Sequence, residues 1–246
     1  MNNDKLNIAE IYVSVQGEGP CIGVPAIFLR LAGCNFDCTW QVNGKVQHCD
    51  TRWAKKSGKS MSINEVLLEI FSLREKYKVS TLIVTGGEPA LQAEPLMRVL
   101  QVLRNENNHF YHIDIESNGT MPKHCTKDLS KLTTWLRLFD HYVVSPKPQT
   151  KLYDLSIFYK ESDKTKFFLK FVYDETPESL PWIIGTILWV QSYCGLTPEN
   201  IILMSAGVNA KELRERDKRT IEICKEHNWR FSPRVHSYIW GLKKGV

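Results

Sequence analysis

Short apolar runs alternate with amphipathic stretches along most of this chain. Ala26-Ile27-Phe28-Leu29-Arg30-Leu31 is apolar except at Arg30 and reads as a strand. Ser62-Ile63-Asn64-Glu65 has the form of a capping box, and Val66, Ile70 and Leu73 then recur on one helical face. Thr81–Thr85 is a continuous buried strand that stops at Gly86-Gly87, and Leu96, Val99, Leu100 and Leu103 mark a helix running to Arg104. The alternation continues with strands at 110–116, 141–145, 167–173 and 200–204, and helices at 132–138, 178–194 and 210–226. A seventh strand is expected over 229–235.

Strand–helix alternation of this kind implies parallel strands joined by crossover helices. Seven such strands suit a barrel or partial barrel, whose chemistry gathers at the C-terminal strand ends. The 246 residues are read as a single domain, 1–246. No apolar run approaches the length of a membrane span, and the N-terminus lacks a signal-peptide pattern, so a cytoplasmic protein is expected. The net charge of +5 reads as a lysine-rich surface, or as a site for an anionic small substrate. No basic run is interleaved with aromatics, so no nucleic-acid partner is expected.

Seven cysteines, an odd number, argue against a disulfide framework. Cys34, Cys38 and Cys49 cluster just after the first strand expected, while Cys21, Cys125, Cys194 and Cys224 are scattered and read as small buried hydrophobes. Thiolates are soft donors suited to iron–sulfur clusters or zinc. The residues alone leave three readings: a 4Fe–4S cluster with one iron open, a zinc site completed by His48, or unrelated buried cysteines. Between Cys38 and Cys49 lies Val42-Asn43-Gly44-Lys45-Val46. Asn-Gly between β-branched flanks predicts a two-residue hairpin that returns Cys49 to the other two.

Cys34-Asn35-Phe36-Asp37-Cys38-Thr39-Trp40 followed by Cys49-Asp50-Thr51 resembles the cluster loop of radical S-adenosylmethionine enzymes, with a last spacing eight residues longer than usual. Glu10 to Pro20, with its Gln16-Gly17-Glu18-Gly19 core, Arg30, Gly33 and the tail His236 to Val246 narrow the likeness. From about residue 8 to 246 the chain is similar to the 7-carboxy-7-deazaguanine synthase family.

That resemblance implies an incomplete α/β barrel with the 4Fe–4S loop after the first strand, and a homodimer. The reaction it implies converts 6-carboxy-5,6,7,8-tetrahydropterin to 7-carboxy-7-deazaguanine with release of ammonia. S-adenosylmethionine is cleaved on the open iron, hydrogen leaves pterin C6, and the ring contracts. An electron donor such as flavodoxin or ferredoxin is implied.

By the same resemblance Cys34, Cys38 and Cys49 hold the cluster, and Thr51 offers magnesium a hard hydroxyl oxygen. His48, Cys49, Asp50, Gly87, Glu116, Ser117, Ser145, Pro146, Lys147, Met204 and Ser205 would face S-adenosylmethionine. Val15, Gln16, Gly17, Arg30, Thr85, His236 and the Val246 terminus would receive the pterin. Arg30 suits a carboxylate because guanidinium binds one in a bidentate fork. The alternatives are another radical S-adenosylmethionine enzyme such as a glycyl-radical activase, a pterin-binding protein without catalysis, or a zinc-binding interaction module.

Overall fold

In this computed structural model the structure describes residues 4–105, 110, 112–120, 129–148, 167–243 and 245. Two strands open the chain, β1 (Lys5–Val15) and β2 (Pro25–Leu31), followed by a hairpin of β3 (Thr39–Val42) and β4 (Lys45–His48). Then come β5 (Lys59–Ser62), α1 (Ile63–Tyr77), β6 (Thr81–Gly86), α2 (Ala93–Arg104) and β7 (His112–Ser117). The remainder is α3 (Leu129–Arg137), β8 (His141–Val144), β9 (Phe167–Tyr173), α4 (Ser179–Cys194), β10 (Ile201–Ser205), α5 (Ala210–His227), β11 (Arg230–Phe231) and α6 (Val235–Trp240).

Nine strands form one sheet in the order β11-β10-β9-β8-β7-β6-β2-β1-β5. The seven from β2 to β11 run parallel. β1 and β5 extend the edge antiparallel, so the sheet stays open as a partial barrel. The alternation of side chains along each strand divides the structure into two layers. Leu29, Val84, Ile113, Ile115, Leu169 and Leu203 belong to one core with Val66, Ile70, Leu96, Leu100, Ile183 and Ile187 of the helices. On the other face Arg30, Thr85, Glu116, Lys170 and Met204 look into the barrel. Fully burying one of these leucines contributes roughly 1.5–3 kcal/mol, so the helix layer holds the sheet that presents the polar set.

Local chemistry ends the elements where the sequence suggests. The Ser62 hydroxyl accepts from Glu65 N, and the Glu65 carboxylate accepts from Ser62 N at 2.7 Å, which starts α1. The Asn209 side chain accepts from Lys211 N and Glu212 N to start α5.

Three expectations change. The cysteine loop follows β2, the second strand of the chain, because the segment before it is itself a long strand, β1. Its mixed Asn7, Glu10 and Ser14 hide an alternation in which Leu6 and Ile8 are buried. Short β5 likewise carries no apolar pattern, with Met61 its one buried residue. The last strand covers only Arg230–Phe231, and residues 235–240 are helical. Pro233 lacks the N–H a continuing ladder needs.

Candidate active site

The parallel strands open at their C-terminal ends into a cavity of about 260 Å³. The β1–β2 loop enters it from the opposite mouth. Gln16 N donates to Val24 O and Gly23 N to Gln16 O, both at 2.8 Å, which folds the loop upon itself. Val15, Gln16, Gly17 and Glu18 thereby line the cavity from below.

The cysteine loop forms one wall. The hairpin is present, with Asn43 and Gly44 at φ +53° and +72°. Those left-handed angles suit a type I′ turn, which is what Asn-Gly favours. Cys49 N donates to Cys38 O at 3.0 Å where the strands meet, so the long gap in sequence closes in space. Cys34, Cys38 and Cys49 all line the cavity, and burial raises each thiol, Cys38 to about 11.

A single ion needs its ligand atoms close together. Among the described residues, one group of three or more His, Cys, Asp or Glu ligand atoms comes within 4.8 Å, and it excludes these cysteines and His48. His48 is exposed on β4. Three soft thiols on one cavity wall, with no fourth protein ligand grouped beside them among the described residues, are the donor set of a 4Fe–4S cluster that keeps one iron open.

The glycine-rich end of β6 braces that wall. Gly87 N donates to Leu31 O at 3.1 Å and Glu88 N to Gly33 O at 2.9 Å. A Cβ at Gly87 would overlap the Gly33 carbonyl and crowd Cys34. Glu88 is fully buried and accepts from Ser117 Oγ, Asn118 N and Ala90 N at 2.9, 2.7 and 3.1 Å. Burial raises its carboxyl despite these donors. Asn35 donates to Thr120 Oγ1 and accepts from Asn118, which ties the cysteine loop to the end of β7.

A charged network occupies the interior. Lys170, only 5% exposed, donates to Glu18 at 2.9 Å and Glu116 at 2.8 Å. Burial would lower its ammonium, but Glu116 and Glu18 outweigh that and raise it. Burial would likewise raise Glu18, but Lys170, Arg234 and His236 hold it at about 2. Asp50 pairs with Arg234, which with His236 keeps its carboxyl far below the usual range against burial. Thr85 Oγ1 donates to Glu116 at 2.9 Å. Arg30 Nε donates to Glu10 and a terminal nitrogen to Tyr12 Oη, both at 2.8 Å, while Tyr12 stacks on Phe28. Lys147 donates to Ser145 O and Oγ and lies 5.7 Å over the Trp40 ring; burial lowers its ammonium.

Most residues singled out from the sequence therefore meet here. His48, Cys49, Asp50, Thr51, Gly87, Glu116, Ser117, Ser145, Lys147, Met204, Arg30, Thr85 and His236 line the cavity. Gly17 packs so closely on His236 that a methyl would sit 2.5 Å from Nδ1. Ser205 does not join them: its hydroxyl bonds Asp217 at 2.6 Å and Thr220 at 2.8 Å on α5, because its place in β10 points it outward. Pro146 is buried but off the wall. Gly241, Leu242, Lys243 and Gly245 of the tail line the cavity, whereas Val246 lies outside the described residues.

Cys194 and Cys224 are buried as expected, Cys125 lies outside the described residues, and Cys21 departs from the hydrophobe reading, being half-buried beside two histidines. Lys170, Glu18, Arg234 and Glu88 were not singled out. A lysine in the middle of Phe167-Phe168-Leu169-Lys170-Phe171-Val172-Tyr173 was the available signal, since a charge within an apolar strand needs a buried partner.

The Radical SAM superfamily profile matches residues 29–155. A 7-carboxy-7-deazaguanine synthase of Hyperthermus butylicus is 30% identical over 96% of this chain and 94% of that protein. Those of Pyrobaculum aerophilum and Leptospira interrogans are 29% and 28% identical; the first alignment covers 98% of this chain and 97% of that protein, the second all of both. The crystal structure of QueE from Escherichia coli shares the fold, with a TM-score of 0.66 and 22% identity over 94% of this chain and 95% of that one.

Proposed function

Because this chain belongs to the radical SAM superfamily and, within it, to the 7-carboxy-7-deazaguanine synthases, we infer that its cavity contracts the ring of 6-carboxy-5,6,7,8-tetrahydropterin to give 7-carboxy-7-deazaguanine and ammonia. The observation that carries this reading is the meeting of three cavity-lining thiols with a buried polar interior in one partial barrel. When bound, the 4Fe–4S cluster and S-adenosylmethionine together supply the hydrogen-abstracting radical.

The protein's own contribution is holding and shielding. Cys34, Cys38 and Cys49 are the residues that would hold the cluster, and with no fourth protein thiolate among them it would keep a place for S-adenosylmethionine. Gly87, Glu116, Ser117, Ser145, Lys147 and Met204, with the His48–Asp50 segment, face that cosubstrate. Val15, Gln16, Gly17, Thr85 and His236 receive the pterin, and the Arg30 guanidinium meets its carboxylate. Support for that pairing is that Arg30 already binds a carboxylate, Glu10, inside the cavity. The Thr51 hydroxyl, 3.2 Å from Cys49 Sγ, is the protein's hard oxygen donor for magnesium. Tyr12, Phe28, Trp40 and Met204 give apolar walls that keep water from a radical.

The biological unit is a homodimer. Leu188 and Trp189 on α4 are 61% and 46% exposed, an apolar face that a second copy would cover. A flavodoxin or ferredoxin donates electrons beside the cysteine loop, where Lys55 and Lys56 offer positive charge to an acidic carrier. A cytoplasmic setting accords with the free thiols.

The test is an anaerobic assay of the reconstituted protein with the carboxypterin, S-adenosylmethionine, reductant and magnesium. Mass spectrometry should find 7-carboxy-7-deazaguanine. Formation of 5′-deoxyadenosine without that product would retain the radical chemistry and reject the substrate.

A further inference from the structure

At the end of the barrel opposite the cavity, four ligand-type side chains converge. Cys21 Sγ lies 3.3 Å from His112 Nε2 and 3.5 Å from His141 Nδ1. Asp114 Oδ1 lies 2.5 Å from the same His112 nitrogen and 3.2 Å from the same His141 nitrogen. All four ligand atoms fall within 4.8 Å of one another. Strand register explains the meeting: Asp114 pairs with His141 across β7 and β8, and His112, two residues earlier, faces the same side. Cys21 comes from the β1–β2 loop that crosses the floor.

We propose that Cys21, His112, Asp114 and His141 form a four-coordinate site for zinc or a zinc-like divalent ion, which clamps the β1–β2 loop to the floor of the barrel. Zinc bonds of about 2.3 Å to sulfur and about 2.0–2.2 Å to nitrogen and oxygen put tetrahedral ligand atoms roughly 3.3–3.6 Å apart. Four ligand atoms have six separations; of the four given above, three lie within that range or a tenth of an ångström below it, and all six are within 4.8 Å. The fourth, between His112 and Asp114, opens slightly around an ion. Each donor is a zinc ligand type, two imidazoles with a thiolate and a carboxylate, and the two negative charges neutralise the dication.

Asp114 sits at the buried centre of the group. It is 2% exposed, and its Oδ1 faces both ring nitrogens, one on each neighbouring strand position. A buried carboxylate with two imidazoles and a thiol turned towards it is a donor set already gathered for a divalent cation.

The site is separate from the cysteine loop at the other end of the same strands. Its effect on the cavity runs through the loop. Cys21 lies three residues beyond Glu18, and Val24 N donates to Cys21 O at 3.1 Å while Gln16 N donates to Val24 O. Fixing the Cys21 thiolate therefore fixes Gln16, Gly17 and Glu18.

Metal analysis of the anaerobically purified, cluster-loaded protein should give about one zinc per chain in addition to cluster iron. Zinc-edge X-ray absorption of the unmutated protein should show one sulfur and three nitrogen or oxygen ligands. Three sulfurs would put the zinc on the loop cysteines and overturn the proposal. The Cys34→Ser/Cys38→Ser/Cys49→Ser variant should keep its zinc, and adding Cys21→Ser or His141→Ala should lower zinc affinity at least tenfold. If the unmutated protein lacks zinc and the triple variant takes up no single tight equivalent when zinc chloride is titrated in, the proposal fails. It fails equally if Cys21→Ser and His141→Ala leave zinc unchanged.

Discussion

Cys49 donates its backbone N–H to the carbonyl of Cys38 at 3.0 Å, across the base of the β3–β4 hairpin. Ten residues separate the two in sequence, yet the second strand of the hairpin returns the chain to its starting point. The spacing of the third thiol therefore depends on a turn, Asn43-Gly44, that touches no cofactor. Gly44→Val puts a β-branched side chain at φ +72°, at a cost of roughly 1–2 kcal/mol. Iron and sulfide per chain should fall while far-UV circular dichroism stays unchanged. Cys49→Ala should abolish cluster assembly, and a full cluster in that variant would sink the ligand assignment.

Gly87 illustrates close approach. A methyl there meets the Gly33 carbonyl and Cys34, so Gly87→Ala must displace the cysteine loop. Reductive cleavage of S-adenosylmethionine should fall by about tenfold or more, in proportion to the about 1.4 kcal/mol per decade of rate. Unchanged 5′-deoxyadenosine production would mean that the loop tolerates the methyl.

Buried Lys170 neutralises two half-buried carboxylates, Glu18 and Glu116. Lys170→Met should destabilise the protein by about 3–5 kcal/mol, because Glu116 loses its bonded cation and Glu18 keeps only Arg234 and His236 nearby. Adding Glu18→Gln and Glu116→Gln should restore much of the loss, as coupled sites are not additive. Urea unfolding at neutral pH measures both.

The pH dependence of Glu18 has a definite sign. Its folded pKa is about 2 and its ordinary value 4.5. A lowered folded pKa means the stabilisation is complete above about 4.5 and is lost as pH falls through that window toward 2. Glu18→Gln should therefore lose stability less steeply than the unmutated chain between those values. Parallel urea-stability curves would remove Glu18 from the acid response.

Ser205→Ala tests the outward placement of that side chain. Its hydroxyl serves Asp217 and Thr220, so stability should drop by about 1–3 kcal/mol. The KM for S-adenosylmethionine should stay within about twofold of the unmutated value. A large rise in KM with stability intact would return Ser205 to the cavity.

The parallel strands, the α1 capping box and the Asn-Gly hairpin were legible because each rests on neighbours within a few residues. β1 was not, since its alternation is interrupted by polar residues whose partners, β2 and β5, lie elsewhere in the chain. The cavity was legible at strand ends and illegible inside the barrel. Glu88 directly follows Gly86-Gly87 in the sequence, and only folding makes it the acceptor that joins β6 to β7.

Local sequence dictates the alternation of the parallel strands with their helices, the grouping of three thiols on one loop and the turn that brings the third back. These follow from backbone sterics and side-chain periodicity, which act locally. Tertiary structure alone decided that Lys170 meets Glu18 across 152 positions, that Arg234 meets Asp50, and that Cys21 comes to rest between His112 and His141. Those meetings depend on the register of parallel strands and on the path of one loop through the barrel, both set by how the whole sheet packs against its helices.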